Sequence, residues 1–380
     1  MKPLSPSSEA ELAELVSSTS EPLRVMGGGT RPIGVPVNAQ PLTTQKISGI
    51  ALYEPGALTL VAKAGTTVAE IEKALAKENQ RLAFEPMDHR GLLGTKGEPT
   101  IGGVFAANVS GPRRIQCGAA RDFLLGVRFV DGQGQITRNG GRVMKNVTGY
   151  DIVKLMAGSY GTLGVLTEVA LKVLPRSNVT GTLKLAGLTD VQAISALSAA
   201  LGSPYEVTGA AHLPKGNDST PQTFIRIEGF ENSVKYRSGE LFKMLGHLGE
   251  VKFELDQQAN ATLWQNIRDV DAFHGRDGDV WRLSVKPSDA PDIVAQVGPE
   301  DVVYDWGGGL IWLLMPQDTG AEVIRSAVAD KGGHATLIRG NRAAGAFQPL
   351  SAPVAALQNG LRARFDPKGV LNPGLMGQAA

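Results

Sequence analysis

The sequence predicts a globular protein of mixed helices and strands, divided into two domains near Pro175. Glycine accounts for 47 of the 380 residues, and 16 of these lie in the 80 positions from 91 to 170. An alternating strand pattern runs over residues 165–173 and stops at Pro175. After residue 176, stretches typical of strands and of helices alternate regularly. The length also suits two or three domains.

Composition excludes several classes of protein. Lys and Arg number 38 against 37 Asp and Glu, so the net charge of +1 does not suit a dedicated nucleic-acid binder or a polybasic membrane anchor. The single cysteine, Cys117, excludes an internal disulfide and a cysteine-rich zinc or iron–sulfur site. The longest apolar run, Leu310–Met315, is far shorter than the roughly 20 residues of a membrane-spanning helix. We expect a soluble, cytoplasmic protein, with peripheral association with a membrane as the alternative.

Local patterns predict the individual elements. Before Pro175 these are a helix at 9–16 with a Ser8–Glu11 capping box, strands at 23–26 and 59–64, a helix after a Thr67–Glu70 capping box, a hairpin at 127–137 and the strand at 165–173. After Pro175 they are strands at 224–228, 280–285, 302–305 and 310–314, and helices at 191–201 (capped by Asp190), 232–248, 257–273, 323–328 and 351–365. The last helix carries one apolar stripe of Val354, Leu357, Leu361 and Phe365.

Three glycine clusters are the candidates for ligand binding. The first follows a strand and contains Gly27, Gly28, Gly29 and Thr30. Successive glycines let a ligand approach the backbone and expose N–H groups that attract phosphate. The loop fits neither the dinucleotide fingerprint, since Pro32 stands at the third glycine position, nor the P-loop. A purely structural turn is an equal alternative for this loop on its own.

The other two clusters strengthen this interpretation. Residues 100–112 combine Gly102, Gly103 and Gly111 with small neighbours, and such a surface suits a large flat cofactor. Gly161 and Gly164 flank the start of the strand at 165–173. Because none of the clusters fits a nicotinamide fingerprint, together they indicate a long phosphate-bearing cofactor.

The order of these motifs resembles the flavin-binding domain of the vanillyl-alcohol-oxidase, or p-cresol methylhydroxylase (PCMH), family. The matching elements are Gly27 to Thr30, Thr100-Ile101-Gly102-Gly103 with Asn108 and Gly111, Gly118 with Asp122, Lys145-Asn146 with Gly149-Tyr150-Asp151, Gly161-Thr162-Leu163-Gly164 with Thr167-Glu168, and the ending from Phe365 to Gly374. More narrowly, residues 145–151 and the short length resemble the smaller flavin subunit of bacterial glycolate oxidases.

The resemblance implies an α+β fold: a two-part PCMH-type FAD-binding domain over 1–175, an α+β cap with an antiparallel sheet over 176–345, and a C-terminal helix and tail over 346–380 that return to the first domain. The implied cofactor is FAD. The implied cofactor-binding residues are Gly27, Gly28, Gly29, Thr30, Thr100, Ile101, Gly102, Gly103, Asn108, Gly111, Gly118, Asp122, Val165, Leu166 and Asn372. Covalent members attach FAD through a histidine or cysteine. Here Thr30 and Arg31 stand where many carry the histidine, so we expect non-covalent FAD.

The substrate site is less defined. Related 2-hydroxy-acid dehydrogenases carry a histidine-rich metal motif in the cap, but the five histidines of this chain lack metal-ligand spacing, so we expect no metal site. Oxidation of a 2-hydroxy acid needs a cation for the carboxylate and a base for the hydroxyl proton. Arg282 beside Trp281 is the best candidate for the cation, with a surface charge as the alternative. His334 is a candidate base, with a loop histidine as the alternative.

Three functional hypotheses follow. The first is an FAD subunit of a glycolate oxidase complex, with a larger flavin subunit and an iron–sulfur subunit as partners and a small 2-hydroxy acid as substrate. The missing metal motif places oxidation on the larger subunit, and this chain's flavin would then relay electrons or serve assembly. The second is a self-contained FAD oxidase or dehydrogenase of another hydroxy acid, alcohol or sugar. The third is a structural subunit that has lost its flavin.

Overall fold

The computed structural model describes residues 1–142, 149–216, 219–342 and 345–377. Its N-terminal half contains seven short helices and nine strands among these residues. In chain order they are α1 (Glu9–Ser18), β1 (Leu23–Met26), β2 (Gln40–Thr43), β3 (Ile50–Glu54), β4 (Thr59–Lys63), α2 (Val68–Lys77), β5 (Gln80–Arg81), α3 (Arg90–Leu93), α4 (Ile101–Ala106), α5 (Arg114–Cys117), α6 (Ala120–Phe123), β6 (Leu124–Val130), β7 (Ile136–Gly140), α7 (Ile152–Met156), β8 (Val165–Lys172) and β9 (Leu174–Pro175).

The C-terminal half alternates longer strands and helices. They are β10 (Val179–Ala186), α8 (Asp190–Leu201), β11 (Val207–Leu213), β12 (Gln222–Gly229), α9 (Glu231–Leu245), β13 (Val251–Glu254), α10 (Gln257–Asp269), β14 (Asp279–Ser284), α11 (Ala290–Val297), β15 (Asp301–Asp305), β16 (Leu310–Met315), α12 (Ala321–Asp330), β17 (His334–Arg339) and α13 (Ala352–Phe365). None of the helices in the described ranges is long and apolar enough to cross a membrane.

Two antiparallel sheets organise the molecule. The first has the strand order β3-β4-β8-β6-β7, and the second has the order β13-β10-β12-β11-β15-β16-β14-β17. Near the N-terminus, β1 and β2 form a separate parallel pair. The chain leaves the first sheet after Lys172 and enters the second at Val179. The predicted α+β class, with an antiparallel sheet in the second half, is confirmed.

The larger sheet uses its two faces differently. One face, with Trp281, Tyr304 and Leu313, packs in one core with helices α8, α9, α11 and α12. The opposite face, with Trp312 and Leu314, shares a core with residues of the N-terminal half such as Phe84 and Phe105. Trp281 is in register with Leu313, and the next pair along the strands is Arg282 with Trp312. Because successive strand residues face opposite sides of a sheet, Trp281 and Trp312 belong to different cores.

A buried ion cluster also joins the two halves. Arg226 on β12 donates to both carboxylate oxygens of Glu85, at 3.0 and 2.9 Å. Glu228, two residues further on, accepts from Arg81 at 2.7 Å and pairs with Arg113. Arg226 and Arg113 hold the pKa of the Glu85 carboxyl below its usual range against the opposing effect of burial. These pairs fix the second sheet against the loops that precede and follow α4.

Several local predictions are wrong in instructive ways. The cap of α8 is Thr189, whose side chain accepts from the Gln192 amide. Asp190 instead binds the Tyr304 hydroxyl at 2.5 Å, because the first helical turn faces β15. The helix predicted over 257–273 ends at Asp269, since Val270 adopts a left-handed conformation with φ 57°. At α1, Ser8 caps as predicted, but the Glu11 side chain accepts from Ser7 rather than from Ser8.

The apolar stripe of the last helix is exposed. Val354, Leu357 and Leu361 are 49%, 71% and 39% exposed, whereas the fully buried member of α13 is Ala355. The 3.6-residue period therefore predicts the helix correctly, but only Phe365 of the stripe packs inward, against Phe129, and Val354, Leu357 and Leu361 stay at the surface. Large exposed apolar patches of this kind are typical of protein interaction surfaces.

Candidate functional site

A cleft of about 810 Å³ lies among the glycine clusters of the N-terminal half. Its lining comes from the end of β1, the start of α4, the start of β8 and the C-terminal tail. The lining residues are Val25, Met26, Gly27, Gly28, Gly29, Thr30, Arg31, Ile33, Thr44, Ala64, Thr100, Gly102, Gly103, Ala106, Ala107, Tyr160, Gly161, Gly164, Val165, Leu166, Asn372 and Leu375.

The glycine loop after β1 forms one wall. A Cβ on Gly28 would lie 1.8 Å from the carbonyl oxygen of Glu98, so only glycine fits between the two backbones. The amides of Gly28, Gly29 and Thr30 donate to no other group within the described chain. The loop therefore presents free N–H groups beside the cleft, as the sequence pattern predicts for an anion-binding turn.

The start of α4 forms the facing wall. Thr100 caps the helix by accepting from the Gly103 amide at 3.3 Å. A Cβ on Gly102 would lie 2.7 Å from the Ala64 Cβ, so this helix packs directly on the end of β4. Ala106 and Ala107 continue the wall and keep it shallow. The run of small residues thus builds an open surface rather than a filled core.

Arg31 contributes an uncompensated positive charge to the cleft. Its Nη1 is buried and has no hydrogen-bond partner among the described residues. Burial lowers the pKa of Arg31 to about 10, so the guanidinium remains charged at neutral pH. The nearby Asp88 carboxylate is already bound by Arg90 at 2.8 Å. A buried, unpaired cation is costly, and an anionic ligand in the cleft would compensate it.

The C-terminal tail closes the cleft. Asn372 accepts from the Val25 amide at 2.7 Å and donates to the Tyr160 carbonyl at 2.8 Å. Leu371 pairs in parallel with Leu23, so the tail extends the β1–β2 pair. The Asp366 carboxylate accepts from the amides of Val370 and Leu371, which sets the preceding turn. The tail thereby brings Asn372 to the cleft from the far end of the chain.

Of the predicted cofactor-binding residues, ten line the cleft. They are Gly27, Gly28, Gly29, Thr30, Thr100, Gly102, Gly103, Val165, Leu166 and Asn372. Their assignment to FAD stays a prediction, since the structure gives their positions alone.

The other five lie outside the lining. Ile101 is buried in the core beneath the helix start. Asn108 accepts from the Arg121 amide at 2.9 Å, and Asp122 accepts from the Ala119 amide at 2.8 Å. Gly111 packs against the Glu85 carbonyl, and Gly118 ends α5 with φ 94°. These residues shape the loop between α4 and β6. Of the other motif residues, Lys145 and Asn146 lie outside the described residues.

Twelve of the lining residues are not among the predicted cofactor-binding residues, and four of these are informative. Arg31 follows directly after the glycine loop, so the loop itself could have indicated it. Ala106 and Ala107 belong to the small-residue run but were not assigned contacts. Tyr160 sits inside the third glycine cluster with φ 53°, and its amide donates to the Ala106 carbonyl at 2.8 Å.

Cys117 lies beside the buried ion cluster of Glu85 and Arg113, outside the cleft lining. Its Sγ donates to the Ala83 carbonyl at 3.3 Å. Burial raises the pKa of the Cys117 thiol to about 11, so it is protonated at neutral pH. A neutral thiol is a poor nucleophile, which argues against a role in covalent attachment.

The candidate catalytic residues lie on the larger sheet, and neither of them lines the cleft. Arg282 projects from the inward face of β14 and stands over the Trp306 ring at 5.3 Å from its centroid. Arg282 is half-buried there, and its role in binding a carboxylate stays a prediction. His334 begins β17 and is not a loop residue. Desolvation, followed by the charges of Arg282 and Arg114, lowers the pKa of His334, so its imidazole is neutral at pH 7.

Within the described ranges, no group of three or more His, Cys, Asp or Glu side chains has the arrangement that would hold a metal ion. His89 is buried near the cleft, and burial followed by Arg31 lowers its pKa to about 3. It accordingly serves as a neutral core side chain that contacts the Met87 carbonyl at 3.3 Å.

Chemically, the cleft combines free backbone donors, an unpaired guanidinium and a flat, small-residue wall. These features fit an extended anionic dinucleotide with a planar ring system, which is the shape of FAD. The cleft is linked to the larger sheet through Tyr160, whose ring lies 5.1 Å from that of Phe347, which pairs with Thr336 on β17.

Comparison with known proteins agrees with this arrangement. Residues 3–140 match the model of the FAD binding domain family. The chain is 36% identical over 373 residues to the glycolate oxidase subunit GlcE of Escherichia coli, covering 97% of both chains. It is 42% identical over 84 residues to the glycolate oxidase subunit GlcD of Bacillus subtilis, covering 22% of this chain and 18% of that one. A solved structure of alkyldihydroxyacetonephosphate synthase superposes with a TM-score of 0.71 at 18% identity, over 98% of this chain and 76% of that one, and therefore shares the fold.

Proposed function

We propose that this chain, which belongs to the family of the glycolate oxidase subunit GlcE, is the FAD-binding subunit of a complex that oxidises glycolate to glyoxylate and passes the electrons to an iron–sulfur subunit. FAD is the cofactor of this family of oxidoreductases. The observation that carries the proposal is the glycine-lined cleft, with its free amides and its unpaired Arg31.

Each wall of the cleft has a role in this proposal. The amides of Gly28, Gly29 and Thr30 bind the diphosphate, and Arg31 neutralises part of its charge. Thr100, Gly102 and Gly103 follow the diphosphate and the ribityl chain. Val165 and Leu166 contact a ring end of the cofactor. Asn372 holds these segments together through Val25 and Tyr160.

The two halves of the chain have different roles in this proposal. Residues 1–175 form the FAD-binding domain, 176–345 form a cap, and 346–380 return to the first domain. When bound, FAD supplies a group that accepts a hydride and returns electrons singly. The protein contributes position and exclusion of water, since the inward face of the larger sheet shares one apolar core with the FAD-binding half.

The exposed stripe of α13 supports a subunit role. Val354, Leu357 and Leu361 present an apolar surface that a larger flavin subunit would cover. Co-purification of the chain with that subunit tests this contact. Leu357→Glu should abolish co-purification, whereas Val191→Glu on α8, which is 64% exposed, should leave it intact. Equal recovery of both variants with the partner would contradict the assignment.

The function is tested by comparing the chain alone with the assembled complex. The complex with the larger flavin and iron–sulfur subunits should reduce an artificial electron acceptor when given glycolate, and removal of this chain should abolish the activity. Steady turnover of glycolate by the chain alone would instead indicate a self-contained oxidase. A chain that stays colourless and takes up no added FAD would indicate a structural subunit.

A further inference from the structure

Two arginines from different halves of the molecule meet on one tryptophan. Arg114, on α5, has its Cζ 4.5 Å from the centroid of the Trp306 ring, and the Cζ of Arg282 is 5.3 Å from the same centroid. Trp306 follows β15 and donates from Nε1 to the Gly111 carbonyl at 3.0 Å. The indole thus fixes both guanidinium groups at the junction between the halves.

Neither guanidinium group forms a salt bridge within the described residues. In the same ranges neither side chain has a hydrogen-bond partner, and the attraction they receive is that of more distant charges, Asp122 for Arg114 and Asp305 for Arg282. The buried acid whose charge acts on Arg282, Asp305, accepts from the Trp306 amide at 2.7 Å, and burial raises the pKa of its carboxyl to about 7. Two partly buried positive charges therefore lie together without a carboxylate between them.

The remaining surroundings suit a small polar ligand. Arg282 is in register with Trp312 on β16 and with Thr336 on β17, so all three side chains project from the same face of the sheet. Thr336 pairs with Phe347, whose ring lies 5.1 Å from that of Tyr160. Tyr160 in turn lines the cleft. Arg282 is therefore linked to the cleft through its strand neighbour Thr336, the backbone bridge to Phe347 and the ring contact with Tyr160.

The chemistry of stacked arginine selects the kind of ligand. A guanidinium that stacks on an aromatic ring keeps its N–H donors in its own plane, where they can bind a carboxylate through two parallel hydrogen bonds. The attraction of the ring for the cation does not satisfy these donors. Two such groups side by side favour a small anion that offers several oxygens.

We propose that Arg114 and Arg282, held on Trp306, form a binding site for the carboxylate of a small 2-hydroxy acid or its 2-oxo product, at the junction beside the FAD cleft. This inference rests on the proposed function, because it names the ligand class of that same site. The claim concerns binding by this chain and includes no chemical step. A ligand there would be held by one cation from each half of the molecule.

Calorimetric titration of the full-length purified chain with oxalate, a planar dicarboxylate that cannot be oxidised by hydride loss, tests the site directly. Glycolamide, which lacks the charge, is the ligand control. Arg114→Gln and Arg282→Gln should each weaken oxalate binding at least tenfold. Arg282→Lys keeps the charge without the planar fork and should weaken it less than Arg282→Gln. The matched protein control is Arg325→Gln, since Arg325 lies 5.5 Å from the Trp281 ring centroid in the core on the opposite face of the sheet.

The outcomes separate the two proposals, because FAD content is measured on the same samples. Oxalate binding that is lost in the Arg114 and Arg282 variants, and kept in folded Arg325→Gln, supports the site whether or not FAD is present. A chain that holds FAD but binds no oxalate, or whose Arg282→Lys and Arg282→Gln variants bind as tightly as the parent, overturns the site and leaves the FAD function standing. Thermal unfolding of every variant confirms that a loss of binding is not a loss of fold.

Discussion

The side-chain amide of Asn372 makes the two hydrogen bonds to Val25 that the backbone of a neighbouring strand would make. It accepts from the Val25 N–H at 2.7 Å and donates to the Val25 C=O at 3.3 Å. A second bond from the same Nδ2 reaches the Tyr160 carbonyl at 2.8 Å. One buried side chain thus joins the C-terminal tail, β1 and the loop before β8. All three segments line the cleft, so its shape depends on this residue.

Replacing Asn372 should loosen the cleft. Asn372→Ala leaves the Val25 amide and the Tyr160 carbonyl without partners, and each buried unsatisfied group costs about 1–3 kcal/mol. We expect a loss of about 2–4 kcal/mol in the free energy of unfolding, measured with urea, together with weaker retention of FAD. Asn266→Ala, at an exposed position of α10, should change stability by less than about 0.5 kcal/mol. Equal stability of both variants would contradict this role.

The glycine loop should tolerate no side chain at its centre. In Gly28→Ala the new methyl group would meet the backbone oxygen of Glu98 at 1.8 Å, so the loop must move away from the start of α4. We expect FAD affinity, measured by flavin fluorescence, to fall at least about tenfold, as a loss of 1.4 kcal/mol would produce. Gly56→Ala is the matched control, because no atom lies within 4 Å of its added Cβ. Unchanged affinity in Gly28→Ala would show that the loop does not contact the cofactor.

Arg31 should affect the cofactor-free and FAD-bound chains in opposite directions. Arg31→Gln removes a buried cation without a partner, so the chain without FAD should be at least as stable as the parent in urea unfolding. Loss of a charged hydrogen bond, about 1.5–3 kcal/mol, should weaken FAD binding about 10- to 150-fold. Arg24→Gln, at an exposed position of β1, should change neither quantity. FAD binding that survives Arg31→Gln would remove Arg31 from the site.

Asp305 should make stability depend on pH. Burial raises the pKa of its carboxyl from 3.8 to about 7, so the folded chain keeps a proton that the unfolded chain releases. Its contribution to stability is therefore complete below about pH 4 and is lost as the pH rises to about 7. Asp305→Asn should gain stability relative to the parent by on the order of 3 kcal/mol between pH 5 and pH 7.5. Asp277→Asn, an exposed control, should show no such trend, and a flat difference for Asp305→Asn would refute the buried neutral acid.

Sequence patterns predicted the glycine residues that form the cleft walls better than the charged residues beside the cleft. Gly28 and Gly102 stand in local motifs, because close packing of two backbones requires glycine at fixed positions. Asn372 was reached only through a family resemblance, since its partner Val25 is 347 positions away. The sequence also predicted helix α13 without predicting that Leu357 is exposed, because periodicity indicates an apolar face but not what covers it.

The contacts at the junction between the two halves could not be predicted from local sequence patterns. Arg114, Trp306 and Arg282 come from three distant segments, so no spacing in the sequence connects them. Arg282 was identified as a candidate cation, but its orientation depends on which face of β14 turns inward. That choice follows from the register with Trp312 and Thr336, which only the assembled sheet determines.

The most direct test is the visible spectrum of the purified chain, followed by denaturation and assay of FAD in the supernatant. Our account predicts a yellow protein that releases stoichiometric FAD on denaturation. It also predicts that the folded Gly28→Ala variant, whose loop is displaced, holds much less FAD than the parent. A chain that stays colourless and gives no heat of binding when titrated with FAD would contradict the central claim. Colour that remains with the precipitate would contradict non-covalent attachment.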